Sequence, residues 1–234
     1  MTNEDIRFSK PLYTIAEAAR VIDAPPSTLA TWTKGYVRDR DDRPAVVGEA
    51  AVTAFPAAGR CPSIPFIGLA EAMVLAALRQ SGVPMQRVRP AIAALEREIG
   101  IGHALASRQL YSDGAEVLYD FGAEQVDIDV VASLVVVRNG QRVFVDVIRE
   151  QWQRIQFGVD GYANLIHVPG YRSEVVCDPL RSFGRPTFVH GGTRVDDVIA
   201  RFQTGDSIEE LTEEFGVSFA DIEDALRVAS RRAA

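Results

Sequence analysis

Three histidines, His103, His167 and His190, and two cysteines, Cys61 and Cys177, are the obvious metal ligands and nucleophiles of this 234-residue chain. No histidine stands at metal-ligand spacing from another His or from a Cys, and the cysteines form no CxxC pair. No phosphate-cradling glycine loop and no GxSxG nucleophile elbow is present. His190-Gly191-Gly192 reads as a turn. These residues predict no catalytic group, no metal and no cofactor, hence a protein that is not an enzyme. The chemistry that does stand out is contact with phosphate. Ser27, Thr28, Thr31 and Lys34 fall on one stretch, and Lys34, Arg38, Arg40 and Arg43 follow within ten residues. Hydroxyls and cations at such spacing can bond phosphate oxygens and base edges. Asp39, Asp41 and Asp42 interleave with the arginines, so a solvated mixed-charge loop is the other reading of that segment.

The elements that would position these groups are two short helices. Thr14-Ile-Ala-Glu17 is a capping box, in which the Thr hydroxyl accepts an orphan helix N–H and the Glu reaches back to the cap. Asp23-Ala24-Pro25-Pro26 breaks that helix, and a second runs from about Pro26 to Lys34, with Pro suited to a first helical turn. Leu29 and Trp32 share the inner face and leave the hydroxyls and Lys34 outside. Helix, tight break and second helix form the helix-turn-helix pattern. A two-helix hairpin buried in a core has the same signature.

Charge is divided along the chain. Residues 1–110 carry 13 Lys/Arg against 11 Asp/Glu, residues 111–234 carry 12 against 21, and the net charge is −7. The acidic excess lies in the second half, so the first half is the part suited to phosphate. No apolar run approaches the roughly 18 residues of a membrane span, and the first residues lack a signal-peptide core. A cytoplasmic protein without membrane contact is expected.

The remaining sections predict an α+β, mainly helical fold. Residues 69–80 and about 85–99 are apolar helices that would serve as a platform for the first unit. Residues 111–176 alternate like antiparallel strands, with turns at Asp113-Gly114, Asn139-Gly140 and Pro169-Gly170. At the C-terminus Ser207-Ile-Glu-Glu210 is a second capping box, Gly216 a C-cap and Ser218 the cap of a last helix. With the preceding VDDVIARF this makes a three-helix array. Its last helix presents Asp221, Glu223 and Asp224 as an outward face, which phosphates would repel, so this array should meet protein. The expected domains are 1–110, a helix-turn-helix with its platform; 111–177, β-rich; and 178–234, helical.

Asp178-Pro-Leu-Arg-Ser-Phe-Gly-Arg-Pro186, then Gly192-Thr-Arg-Val195, then GDSIEELTEEFGVSFADIEDAL resemble a small helical domain that recurs in antitoxins. TIAEAARVIDAPPSTLATW resembles the MerR-like or winged helix-turn-helix joined to it in VapB-like antitoxins of actinobacteria. The sequence departs from that pattern at Pro25, where Ser or Thr often caps the recognition helix. The resemblance implies a toxin partner, a PIN-domain ribonuclease of the VapC type whose carboxylates hold Mg²⁺ or Mn²⁺. It also implies operator DNA as a ligand, a homodimer, and toxin contact through the C-terminal domain. An Arg entering the carboxylate cluster would be Arg181, Arg185, Arg194 or Arg201, alongside Asp221, Glu223 and Asp224. The alternative function is a stand-alone MerR-like transcriptional regulator whose C-terminal domain dimerises or senses a ligand.

Overall fold

The computed structural model describes residues 5–40, 43–59, 61–80, 100–110 and 153–233, together with Met85, Val88, Ile92, Ala93, Glu96 and Arg97. The expected strands at 130–137 and 142–148, and the turns at Asp113-Gly114 and Asn139-Gly140, lie outside the described residues. The chain divides into two compact units, 1–163 and 164–234, and the division falls within the segment expected to be β-rich.

In the first unit a short helix α1 (Ile6–Ser9) precedes α2 (Ile15–Val21) and α3 (Pro26–Lys34). The Thr14–Glu17 capping box starts α2 with both reciprocal bonds present. Ala18, Ala19, Val21, Leu29 and Trp32 are buried, so the two helices bury the faces their spacing predicts. After Gly35 the chain does not form a loop but an antiparallel hairpin, β1 (Tyr36–Arg40) and β2 (Arg43–Gly48). Gly35 sits at φ +70, and a Cβ there would overlap the Gly48 carbonyl, so the hairpin base requires glycine. The expected loop for 35–43 is therefore corrected to a strand pair: ladder bonds between 36–40 and 43–48 satisfy the backbone that a loop would leave to water.

Helix α4 (Phe66–Gln80) is buried from Phe66 to Ala76 and again at Leu78. The chain itself covers it, so this helix offers no free apolar face to a second copy. Residues 85, 88, 92, 93, 96 and 97 are helical, with Val88 and Ile92 buried. Among the described residues, no helix is long and apolar enough to cross a membrane.

Strands β3 (Ile155–Phe157), β4 (Ala163–His167), β5 (Val175–Cys177) and β6 (Thr187–Phe188) form a sheet of that order, with β4–β5 and β5–β6 antiparallel. Three helices follow: α5 (Val195–Gln203), α6 (Ile208–Phe215) and α7 (Phe219–Ala233). The Ser207–Glu210 capping box starts α6, and Gly216 in the left-handed region ends it. Ile166, Val175, Cys177, Phe188, Val198, Leu211, Ile222 and Val228 make the core of the second unit. Burial pushes the Cys177 thiol above its ordinary range, which leaves it an inert core group. The architecture is α+β and mainly helical, with a helix-turn-helix first, an antiparallel sheet, and three C-terminal helices.

Candidate nucleic-acid and partner interfaces

The turn between α2 and α3 is set by Asp23 at φ +54 and by Ala24 donating to the Ala19 carbonyl. Pro25 stands at the N-cap of α3 without a side-chain cap bond. Ser27, Thr31 and Lys34 are exposed on α3, and Thr28 is half-buried. The Thr31 hydroxyl donates to the Ser27 carbonyl at 3.0 Å, so one of the three hydroxyl groups expected at a ligand is engaged within the helix. Trp32 is a core anchor, and its carbonyl accepts from Ala51 and Val52 at 2.8 and 3.2 Å. Those bonds tie the exit of the hairpin to the end of α3. Arg38 lies on β1 opposite Val46, while Arg40 on β1 pairs with Arg43 on β2. All seven positions expected to meet DNA thus belong to one helix and the hairpin that flanks it.

The first unit also holds a polar cluster that sequence reasoning missed. Glu71 is a buried carboxylate in the otherwise apolar face of α4. It accepts from the Thr53 backbone N–H at 2.6 Å, from the Thr53 hydroxyl at 3.1 Å and from His103 Nδ1 at 2.8 Å. Gly68, one turn earlier, lets the Thr53 carbonyl lie directly on α4, where a Cβ would overlap it. His103 adopts φ +58, and its ring packs on Phe8, which in turn meets Tyr162 edge-on. The hydrogen bond to Glu71 raises the His103 pKa above 6.5 against the opposing effect of burial. The only sequence signal was a lone Glu within an apolar helix.

In the second unit the expected acidic face of α7 is only partly there. Asp224 is 4% exposed, and its carboxylate accepts from the backbone N–H groups of Arg172 and Ser173 at 2.6 and 3.1 Å and from Arg227 at 3.2 Å. The outward placement of Asp224 is therefore corrected: a turn with unpaired N–H groups faces it, and satisfying them outweighs the preference of a carboxylate for water. Asp221 is half-buried and accepts from the Ser218 hydroxyl at 2.7 Å. Glu223 stays exposed and pairs with Arg227. The other exposed acids of this unit are Glu174 before β5, Asp197 on α5, and Glu209, Glu210, Glu213 and Glu214 on α6.

Replacing Asp224 by Ala leaves two backbone donors and the Ser173 hydroxyl without their acceptor, and Arg227 with Glu223 as its remaining partner. We predict a loss of about 3 kcal/mol in stability, and a smaller loss for Asp224→Asn, which keeps an acceptor oxygen. Urea unfolding measures it; equal midpoints for Asp224→Ala and the parent would show that the clamp contributes nothing.

The four arginines expected at a toxin differ in availability. Arg201 bridges α5 to α6, with two bonds of 2.8 Å to Glu214 and a further ion pair with Asp206. Arg194 stands at the N-cap of α5 without a side-chain cap bond, and its Nε is buried with no hydrogen-bond partner among the described residues, 3.8 Å from the Asp197 carboxylate. Arg185 is half-buried. Arg181 is 71% exposed, with a loose 3.5 Å contact to Asp178. Among the described residues, no three His, Cys, Asp or Glu side chains converge as a metal site.

Residues 11–92 match a family described as a putative DNA-binding HTH domain, and residues 175–229 match a protein family of unknown function, DUF433. The chain is 43% identical to the putative antitoxin VapB45 of Mycobacterium tuberculosis over 228 residues, 95% of each chain. It is 29% identical to the uncharacterized protein Rv2308 of the same organism, over 94% of this chain and 90% of that one. The crystal structure of Rv2018 from M. tuberculosis superposes with a TM-score of 0.75 at 35% identity, covering 94% of this chain and 99% of that one.

Proposed function

The chain belongs to the VapB-like antitoxin family that includes VapB45, and on that premise we propose that it is the antitoxin of a type II toxin–antitoxin pair. In this reading it neutralises a VapC-type PIN-domain ribonuclease in the cytoplasm and represses its own operon. The observation that carries the DNA half is the joining of α3 to the β1–β2 hairpin through the Trp32 carbonyl. A helix with an adjacent hairpin offers a groove-reading element and a backbone-contacting one on the same support. The toxin half rests on the second unit, whose exposed α6 carboxylates suit the positive surface a ribonuclease needs to hold RNA. The test is co-expression with the ribonuclease encoded beside this gene, followed by affinity capture and an RNA-cleavage assay. Co-purification with loss of cleavage is expected. A ribonuclease that remains free and active would leave the stand-alone regulator as the better reading.

One helix-turn-helix contacts few base pairs, so we also propose that two copies pair on a palindromic operator. With α4 covered inside each chain, the contact must lie elsewhere. Light scattering should return about twice the 25.6 kDa chain mass. A monomer at micromolar concentration would rule out pairing in the absence of DNA.

A further inference from the structure

Between β5 and β6 of the second unit the chain makes a loop that exposes two large apolar side chains, Leu180 at 82% and Phe183 at 75%. Arg181 lies between them in sequence and is 71% exposed. The loop has defined internal bonds. Asp178 accepts the Leu180 N–H at 2.9 Å through its side chain and the Arg181 N–H at 3.0 Å through its carbonyl. The Arg181 carbonyl accepts from Gly184 and the Ser182 carbonyl from Arg185. Ser182 and Phe183 are held at φ +47 and +54, a region that residues with a Cβ rarely occupy. Folding stability does not explain this arrangement: it strains two residues and leaves an aromatic ring in water. Side chains held outward at such a cost mark contact surfaces.

We propose that Leu180 and Phe183 are the apolar anchors by which this chain grips its ribonuclease, with Arg181 directed to carboxylates of that partner. The proposal rests on the antitoxin reading and specifies which residues it uses. Charge and symmetry select the occupant. DNA is disfavoured by charge, because the unit that carries this loop exposes Glu209, Glu210, Glu213 and Glu214, which phosphates repel. A second copy meeting this loop across a two-fold axis would place Arg181 against Arg181. A cleft with an apolar rim and an acidic floor satisfies all three side chains, and a metal-holding ribonuclease site has such a floor. Arg181 is also the most exposed of the candidates, 71% against 45% for Arg201 and 39% for Arg194, and Arg201 is already bonded to Glu214 and Asp206. Arg-carboxylate bonding then supplies direction, and the anchors supply desolvated area.

The experiment compares the full-length chain with its Leu180→Ser, Phe183→Asn and Arg181→Glu variants. Affinity for the ribonuclease encoded beside it is measured by calorimetry, and thermal melting is followed in parallel. Each variant should weaken binding about thirtyfold or more. Phe183→Asn should melt at the same temperature or higher, because Asn tolerates the left-handed backbone. A merely structural residue could not combine weaker binding with retained stability. Parent-like affinity in all three variants overturns the proposal while leaving the antitoxin reading intact. A clear fall in the melting temperature of Phe183→Asn overturns it as well, since the ring would then be a fold residue. Variants that lose self-association yet keep the ribonuclease would assign the loop to a second copy and overturn it too. Failure of the parent chain to bind would instead defeat the antitoxin reading on which the proposal stands.

Discussion

Glu71→Ala should be the most damaging single substitution in the first unit, with a loss of about 3–5 kcal/mol. The carboxylate is buried, and three donors converge on it from two other segments. Removing it orphans the Thr53 N–H, at a cost on the order of 1–3 kcal/mol, and leaves the Thr53 hydroxyl and His103 Nδ1, 3.0 Å apart, with only each other in place of the carboxylate. Glu71→Gln keeps one acceptor oxygen and should cost less. Stability should also depend on pH through this pair. The folded-state pKa of His103 is raised above 6.5 chiefly by the Glu71 hydrogen bond. The folded protein therefore holds the proton more tightly than the unfolded chain. The resulting stabilisation is complete below about 6.5, the unfolded value, and fades as pH rises through the raised folded value. Urea unfolding of the parent should give a midpoint that falls from pH 6 towards pH 8, beyond any change seen in His103→Asn. Parallel pH profiles for the two proteins would show that the pair contributes no such dependence.

Charge reversal at Lys34 and Arg38 should nearly abolish operator binding. Lys34 is exposed at the end of α3, and Arg38 lies on the adjoining strand. Each phosphate contact adds about 0.9 to the slope of log affinity against log salt, or roughly eightfold in affinity at 0.1 M. Losing two such contacts should weaken binding about sixtyfold at that salt and flatten the slope by about 1.8, with added repulsion deepening the loss. Fluorescence anisotropy on the DNA upstream of the gene, across a salt series, reads both quantities. An unchanged slope would place the phosphate contacts elsewhere. The hairpin geometry gives a further discriminating variant. Trp32 holds the hairpin exit through its backbone, so a Gly35→Ala change should weaken DNA binding with α3 itself intact, because a Cβ there meets the Gly48 carbonyl.

Which features the sequence could reveal follows from the range of the forces involved. Thr14 with Glu17 and Ser207 with Glu210 were legible as helix starts because both partners lie within one turn, and the structure contains all four reciprocal bonds. Leu29 and Trp32 were legible as an inner face because helical spacing alone puts them together. Gly216 ended α6 as its freedom at positive φ allows. The basic stretch after Lys34 was readable as charge but not as a hairpin, since Asp39, Asp41 and Asp42 interrupt any simple alternation and only cross-strand pairing fixes the register. Asp224 was misplaced for a related reason. Its residue type argues for solvent, and the N–H groups that draw it inward belong to residues 172 and 173, some fifty positions away. Glu71 likewise takes its partners from positions 18 and 32 residues distant. Residue type and local period therefore determined the helices, their caps and the charge divided between the two halves. Tertiary structure alone decided which charged groups face water and which satisfy distant backbone. That choice depends on whether an unpaired donor lies opposite once the chain has closed, and local spacing carries no record of it.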